Sequence, residues 1–249
     1  MPVHDEPSRR RGETNHFLYY QNGNLIGFAS LSPGVEVEVL GMVHPEHRRN
    51  GIGRTLQAAV VDECRNRHVG SFLLVCEAKA ASGCAFAEAL GGNFEFAEYR
   101  MELERANSDA GASAGSIDLT IAGLDDVDAL VAIRTEAQEG GEASRGALEA
   151  WVDSSAHEIL IAREAGEAVG MIRVTGVRDQ VWLTSFAVVE SARGRGVGRR
   201  ILETVIGGLD RSQQTVLEVE TDNANALALY KSVGFRERAT YRYYRLNVE

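Results

Sequence analysis

The chain repeats itself. Two basic, glycine-bearing stretches, LGMVHPEHRRNGIGRTLQAAV (Leu40 to Val60) and SFAVVESARGRGVGRRILETV (Ser185 to Val205), align at an offset of 145. Arg48, Gly51, Gly53 and Arg54 then fall on Arg193, Gly196, Gly198 and Arg199. Downstream, LLVCEAKAASGCAFAEALG aligns with VLEVETDNANALALYKSVG at an offset of 143. A repeat of this length means two copies of one supersecondary unit, each needing its own apolar layer.

The copies differ in extent. Between them lies RANSDAGASAGS (105–116), whose Ala, Gly and Ser content suits a flexible linker. The second copy then opens with IDLTIAGLDDVDALVAIRTEA, a short strand and an amphipathic helix that the first copy lacks. We therefore expect a flexible tail over 1–15 carrying Arg9, Arg10 and Arg11, a shortened domain over 16–104, and a complete domain over 117–249.

Periodicity supplies the elements. In the first copy, strands at Phe17–Tyr20 and Leu25–Leu31 flank Asn22-Gly23-Asn24, a hairpin signal. Val35–Val43, a helix at Ile52–Arg67, Ser71–Cys76, a helix at Ser82–Leu90 and a strand near Glu98–Leu103 follow. The second copy reads as a strand at Ile117–Ile121, helices at Asp125–Gln138 and Ser144–Asp153, and strands at Glu158–Arg163, Ala168–Val177 and Gln180–Val188. A helix at Gly198–Asp210, a strand at Thr215–Thr221, a helix at Asn225–Val233 and strands at Phe235–Ala239 and Tyr241–Asn247 complete it. Mixed strands and helices around a strand–loop–helix unit predict an α/β fold with a mixed sheet in each domain.

Composition excludes several classes. A net charge of −10 over 249 residues argues against a general nucleic-acid binder, which would normally show a concentrated basic surface. No apolar run approaches the roughly 18 residues of a membrane span, and the basic N-terminal cluster is not backed by the apolar stretch of a secretory signal. Cys64, Cys76 and Cys84 form neither an even disulfide framework nor a metal-ligand spacing, so buried thiols, no metal and a reduced, cytoplasmic setting are expected.

The loop Arg193-Gly194-Arg195-Gly196-Val197-Gly198 carries the chemistry. A helix start exposes unpaired amides and a partial positive charge, a natural seat for an anion. Glycines let a phosphate approach the backbone, and Arg193, Arg195 and Arg199 add charge, so a pyrophosphate fits. The pattern departs from the dinucleotide fingerprint and from the P-loop. Alone it could equally be a solvated turn; recurrence in both copies favours the ligand.

FAVVESARGRGVGRRIL resembles the acyl-CoA-binding motif of the GNAT superfamily of N-acyltransferases, Arg/Gln-x-x-Gly-x-Gly/Ala, and LEVETDNANALALYKSVGF resembles the strand and helix that follow it there. The resemblance covers nearly all of the second half; the first half resembles the same family in HRRNGIGRTL, but without the opening strand and two helices. The tandem arrangement is similar to that of mycothiol synthase and other two-domain acyltransferases.

The resemblance implies two GNAT-like domains and an acetyl-CoA-dependent transfer of an acetyl group to a primary amine, with acetyl-CoA as co-substrate and a small-molecule or peptide amine as acceptor. It implies that Ala187 and Val188 lie beside the pantetheine and thioester, that Arg193, Gly194, Arg195, Gly196, Val197, Gly198 and Arg199 hold the pyrophosphate, and that Asn223 lies near the cofactor arm. Tyr230 matches the family's general acid, a phenol able to protonate a departing thiolate. Its other reading is an aromatic packed against the sheet.

No base announces itself. Glu218 and Glu220 share one strand face and could take an amine proton through water or simply be solvated; His157 and Glu158 are equally open. An acidic group, Glu136, Glu139 and Glu142, could border an entrance or end a solvated helix.

The first copy has Ala87 where the second has Tyr230, and Ala80 where it has Asn223, so catalysis is expected only in the second. Val43, Arg48, Arg49, Gly51, Ile52, Gly53 and Arg54 define a second candidate CoA site without turnover. The alternative for the whole chain is a non-catalytic CoA-binding or scaffold protein, as a monomer with pseudo-dimeric halves or a homodimer.

Overall fold

The computed structural model describes residues 13–32, 36–104, 117–137 and 145–248. The expected linker at 105–116, Arg9 to Arg11, Val35, Glu139 and Glu142 lie outside the described residues. In chain order the elements are β1 (His16–Gln21), β2 (Asn24–Ser32), β3 (Glu38–Val43), α1 (Ile52–Asn66), β4 (Ser71–Glu77), α2 (Ala81–Ala89) and β5 (Asn93–Leu103). There follow β6 (Asp118–Ile121), α3 (Val127–Ala137), α4 (Arg145–Val152), β7 (Glu158–Glu164), β8 (Glu167–Val177), β9 (Gln180–Val188), α5 (Val197–Gly208), β10 (Gln214–Glu220), α6 (Ala224–Ser232) and β11 (Phe235–Asn247). No helix among the described residues is long and apolar enough to cross a membrane.

Two compact units result, Met1–Glu98 with Ala239–Glu249, and Tyr99–Arg238. This differs from the expected division at residues 104 and 117, because β11 is one strand rather than two. Its Tyr241–Asn247 part pairs antiparallel with β4 from Glu77 to Ser71, which assigns the C-terminal residues to the first unit. Tyr243, Tyr244 and Leu246 are buried there. A buried leucine alone contributes about 1.5–3 kcal/mol, so the strand is part of that unit's core.

In the first unit the strands run β1-β2-β3-β4-β11-β5. Asn22 and Gly23 close the β1–β2 hairpin with φ of 51° and 80°, the left-handed pair a two-residue turn demands. Helix α1 buries Ile52, Leu56, Val60 and Cys64, a four-residue repeat that lays one stripe on the sheet. The expected flexible tail ends earlier than residue 15. Thr14 donates its amide to Glu63 at 2.9 Å, and Arg67 donates to the Thr14 carbonyl and to Asn15 Oδ1, both at 2.8 Å. All three cysteines are free and buried. Burial pushes the Cys64 thiol up to about 11 and that of Cys76 to about 12, so neither is a ready nucleophile.

In the second unit the order is β5-β10-β9-β8-β7-β6. Strand β9 runs parallel to β10, with Gln214 opposite Gln180, Thr215 opposite Val181 and Val216 opposite Trp182, and the register ends there. Beyond Trp182 and Val216 the two strands are no longer paired. On its other side β9 carries a bulge: Arg173 faces Thr184 and Met171 faces Ala187, so Ser185 and Phe186 together oppose Ile172. Ser185 takes φ of 48° to make it. The extra residue reverses the alternation and re-aims Phe186, Ala187 and Val188. Helix α5 buries Val197, Ile201, Leu202 and Val205 beneath the sheet.

Candidate active site

Strand β9 ends at Val188, passes through a single 3-10 turn at Glu190–Ala192, and enters α5 through Arg193 to Gly196. Gly194 and Gly196 have φ of 72° and 77°, and a Cβ at either would meet nothing within 4 Å. The first intrahelical bond is Arg200 N to the Gly196 carbonyl, 3.1 Å. Among the described residues no acceptor takes the amides from Gly194 through Arg199, and the N-cap glycine offers no side chain to cap them. Gly198 serves a different purpose: a Cβ there would lie 3.1 Å from Leu229 and 3.4 Å from Phe186, so its absence lets α5 approach α6 and β9.

The arginines are less available than the sequence suggests. Arg193 donates Nε to the Val188 carbonyl at 3.0 Å and reaches the Ala137 carbonyl at 3.4 Å, so it ties the strand end to the loop. Arg195 pairs with Glu164 at 2.7 Å, and Arg200, which sequence reasoning passed over, pairs with the same carboxylate. Those partners hold the Glu164 carboxyl below its ordinary range. Arg199 reaches Glu203 at 3.5 Å and the Ser232 carbonyl at 3.4 Å. Backbone amides, with paired guanidiniums around them, therefore make up the positive mouth.

Asn223 N-caps α6, its Oδ1 accepting from Ala226 N at 3.0 Å. Tyr230 sits in the core at 8% exposure, its ring 6.3 Å from Phe186 and 6.0 Å from Phe235. The ring is packed against the sheet, as one of the two readings expects, and its neighbour Phe186 is in the bulge of β9.

The first unit keeps the loop and loses the rest. Arg48 donates Nε to the Val43 carbonyl at 3.0 Å, the same contact over the same five residues. Gly51 has φ of 83°, and Arg49 takes φ of 66° where the second copy has Gly194. Gly53 lies against Phe86, where a Cβ would come within 3.3 Å, and Ile52 is buried beneath Gly27. Arg54 makes no bond to any described residue that bears on this mouth. Strands β3 and β4 also pair in parallel only at Glu38–Leu73 and Val39–Leu74 before parting. However, β3 pairs with β2 in unbroken register, without a bulge. Ala87 is fully buried in place of a tyrosine, and Ala80 caps α2 with no side-chain bond.

On the second unit's other sheet face the carboxylates separate. Glu220 is exposed and Glu218 is not: Glu218 Oε1 is buried with no hydrogen-bond partner among the described residues, and burial raises its carboxyl against the opposing pull of Arg100. Arg100, on β5, lies 5.3 Å over the Trp182 ring, and among the described residues its Nε and Trp182 Nε1 likewise have no hydrogen-bond partner. Burial and Arg173 hold His157 below the ordinary imidazole range. The sequence placed Glu218 on a strand face correctly; only the neighbouring strands reveal what covers it. Glu136 accepts from Ser191 N at 3.4 Å and so braces the loop rather than an entrance.

A duplicated α/β fold, in which a glycine-bearing loop joins a parting strand to a helix in each copy, defines the class of protein. Comparison with known proteins makes it specific. The model of the acetyltransferase (GNAT) family matches residues 2–91 and again 127–235. A mycothiol acetyltransferase of Clavibacter sepedonicus is 32% identical over 228 residues, covering 85% of this chain and 73% of the relative. A GCN5-related N-acetyltransferase of Sphaerobacter thermophilus superposes with a TM-score of 0.77 at 20% identity over 94% of this chain and 81% of that one. A tandem GNAT protein from the clavulanic acid biosynthesis pathway gives 0.70 at 17% identity over 94% and 82%. The chain belongs to the acetyltransferase (GNAT) family, in tandem form.

Proposed function

We propose that the protein transfers the acetyl group of acetyl-CoA to a primary amine, with the chemistry confined to the second unit. The observation that carries this is the mouth after Val188: amides from Gly194 to Arg199 that no described residue accepts from, at a helix start, beside strands that part beyond Val216. Those amides suit the pyrophosphate of CoA, and open space at Gly194 and Gly196 lets phosphate oxygens reach them. The pantetheine arm would then run toward Ala187 and Val188, whose re-aimed backbone supplies N–H groups for the oxyanion. The amine nitrogen forms its bond to the thioester carbon, the C–S bond breaks, the thiolate takes a proton from Tyr230, and the proton that the nitrogen sheds, carried through water, restores the phenol.

The first unit, with the loop retained but neither bulge, tyrosine nor cap, is a structural partner or holds CoA without turnover, through Arg48 to Arg54. The name of the Clavibacter relative makes a mycothiol-type amine one acceptor to test. Incubation with acetyl-CoA and an amine panel tests the reading: free thiol released in proportion to acetylated amine supports it. Tight CoA binding with no turnover on any amine would favour the scaffold alternative.

A further inference from the structure

One face of the second unit's sheet holds a band of polar groups that CoA binding does not use. Its members follow from register. Val216 is opposite Trp182, so Glu218, two residues on, shares the face of Trp182 and Thr184. Thr184 is opposite Arg173, which joins the same face from β8. The band thus runs across neighbouring strands, Arg100, then Glu218, then Trp182 and Thr184, then Arg173, with Trp151 of α4 over its far end.

Each member is odd for a solvated or merely structural residue. Glu218 stands two residues past the last β9–β10 pair, where the strands part, with a buried oxygen that has no hydrogen-bond partner among the described residues. Arg173 stacks on Trp151 with its guanidinium 4.4 Å from the ring centroid and donates Nε to Thr184 Oγ1 at 2.9 Å. No carboxylate among the described residues pairs with it. A half-buried guanidinium with no acid partner among the described residues is an uncompensated positive charge, and a second arginine, Arg134, lies 5.6 Å from the same ring. Buried polar atoms in native proteins are nearly always satisfied, so a set of them on one face calls for a ligand.

We propose that this face is the acceptor site, that Glu218 takes the proton from the attacking amine, and that Arg173 binds an acidic group carried by the same acceptor. The proposal rests on the acetyl-transfer reading above. It names the substrate class: a primary amine with a carboxylate or phosphate several bonds away, since β10 and β8 are two strands apart, about 10 Å between backbones. Burial of Glu218 supports its role, because a carboxyl raised from its ordinary range is a stronger base. Among the described residues, the charged and titratable groups around it are Arg100 and Glu102 from β5, Glu220 on its own strand, and Arg173 and His157 along the face.

Steady-state kinetics with 4-aminobutyrate, O-phosphoethanolamine and butylamine tests this, with equilibrium binding of each amine to the CoA-loaded protein as a readout free of turnover. The wild type should prefer one or both anionic amines, and the pair distinguishes carboxylate from phosphate. Arg173→Gln should raise KM for the preferred anionic amine about tenfold or more, leave butylamine and acetyl-CoA unaffected, and be partly rescued by Arg173→Lys. Glu218→Gln should lower kcat for every amine and remove the acidic limb of the pH profile. Equal use of neutral and anionic amines, or an Arg173→Gln effect common to all three, would overturn the acceptor assignment while leaving acetyl transfer standing. Arg173-dependent binding without turnover would instead overturn the transfer reading and the role of Glu218. A Glu218→Gln enzyme with the wild-type profile would remove Glu218 from the mechanism.

Discussion

Replacing Tyr230 by phenylalanine separates packing from chemistry. The ring is buried against Phe186 and Phe235, and phenylalanine preserves those contacts, removing one oxygen. Losing one hydroxyl's hydrogen bonding costs about 0.5–1.5 kcal/mol, and a protein of this size loses roughly 2–4 °C of Tm per kcal/mol. Since stabilities are typically about 5–15 kcal/mol, the variant stays essentially fully folded. If the phenol protonates the leaving thiolate, the rate should fall by about 10²–10⁴-fold. The two effects differ so much that they cannot be confused. Thiol release should show kcat reduced at least about a hundredfold with KM for acetyl-CoA unchanged. Tyr230→Ala, which empties the ring's place, should in addition destabilise by about 3–5 kcal/mol, as large aromatic truncations do. A Tyr230→Phe enzyme within twofold of wild-type kcat would refute the acid role and leave only the packed ring.

Three further outcomes follow from named contacts. Asn223→Ala should cost about 1 kcal/mol by removing the α6 cap, whereas Ala80→Asn should gain a similar amount by adding one to α2. The two positions share nearly the same backbone, with φ and ψ of −77° and 73° against −83° and 72°, and chemical denaturation reads both. Glu218→Gln should stabilise the protein at neutral pH. With its carboxyl raised in the folded state, wild-type stability is fullest below the ordinary carboxylate range and falls as pH climbs through the folded value; the Tm difference between variant and wild type should therefore open over that interval and close in acid. Gly198→Ala should destabilise by about 1–3 kcal/mol through crowding of Leu229 and Phe186, with a Tm scan as the check.

The loops, hairpins and helix stripes were legible in the residues because each is local. Asn22-Gly23 takes the positive φ values that its turn requires, and α1 buries every fourth residue as its pattern implies. The site was half legible. Glycine spacing marks the mouth, but nothing local says that Arg193 and Arg48 spend their guanidiniums on strand-end carbonyls, or that Glu164 absorbs Arg195 and Arg200. The bulge at Ser185 carries no glycine to announce it. The pairing of β11 with β4 joins residues far apart in sequence, and burial of Glu218 depends on which strands flank β10. Non-local pairing of this kind has no signature in a window of sequence.

Calorimetric titration of CoA into the wild type and the Gly196→Asp variant tests the central claim most directly. Aspartate tolerates the left-handed backbone at this position better than most residues, so the fold is kept while a carboxylate enters the amide mouth. The account predicts that CoA binds the wild type and that the variant loses about tenfold or more of the affinity for catalysis-competent binding. Equal heats and affinities for the two proteins, with acetyl transfer intact, would contradict it.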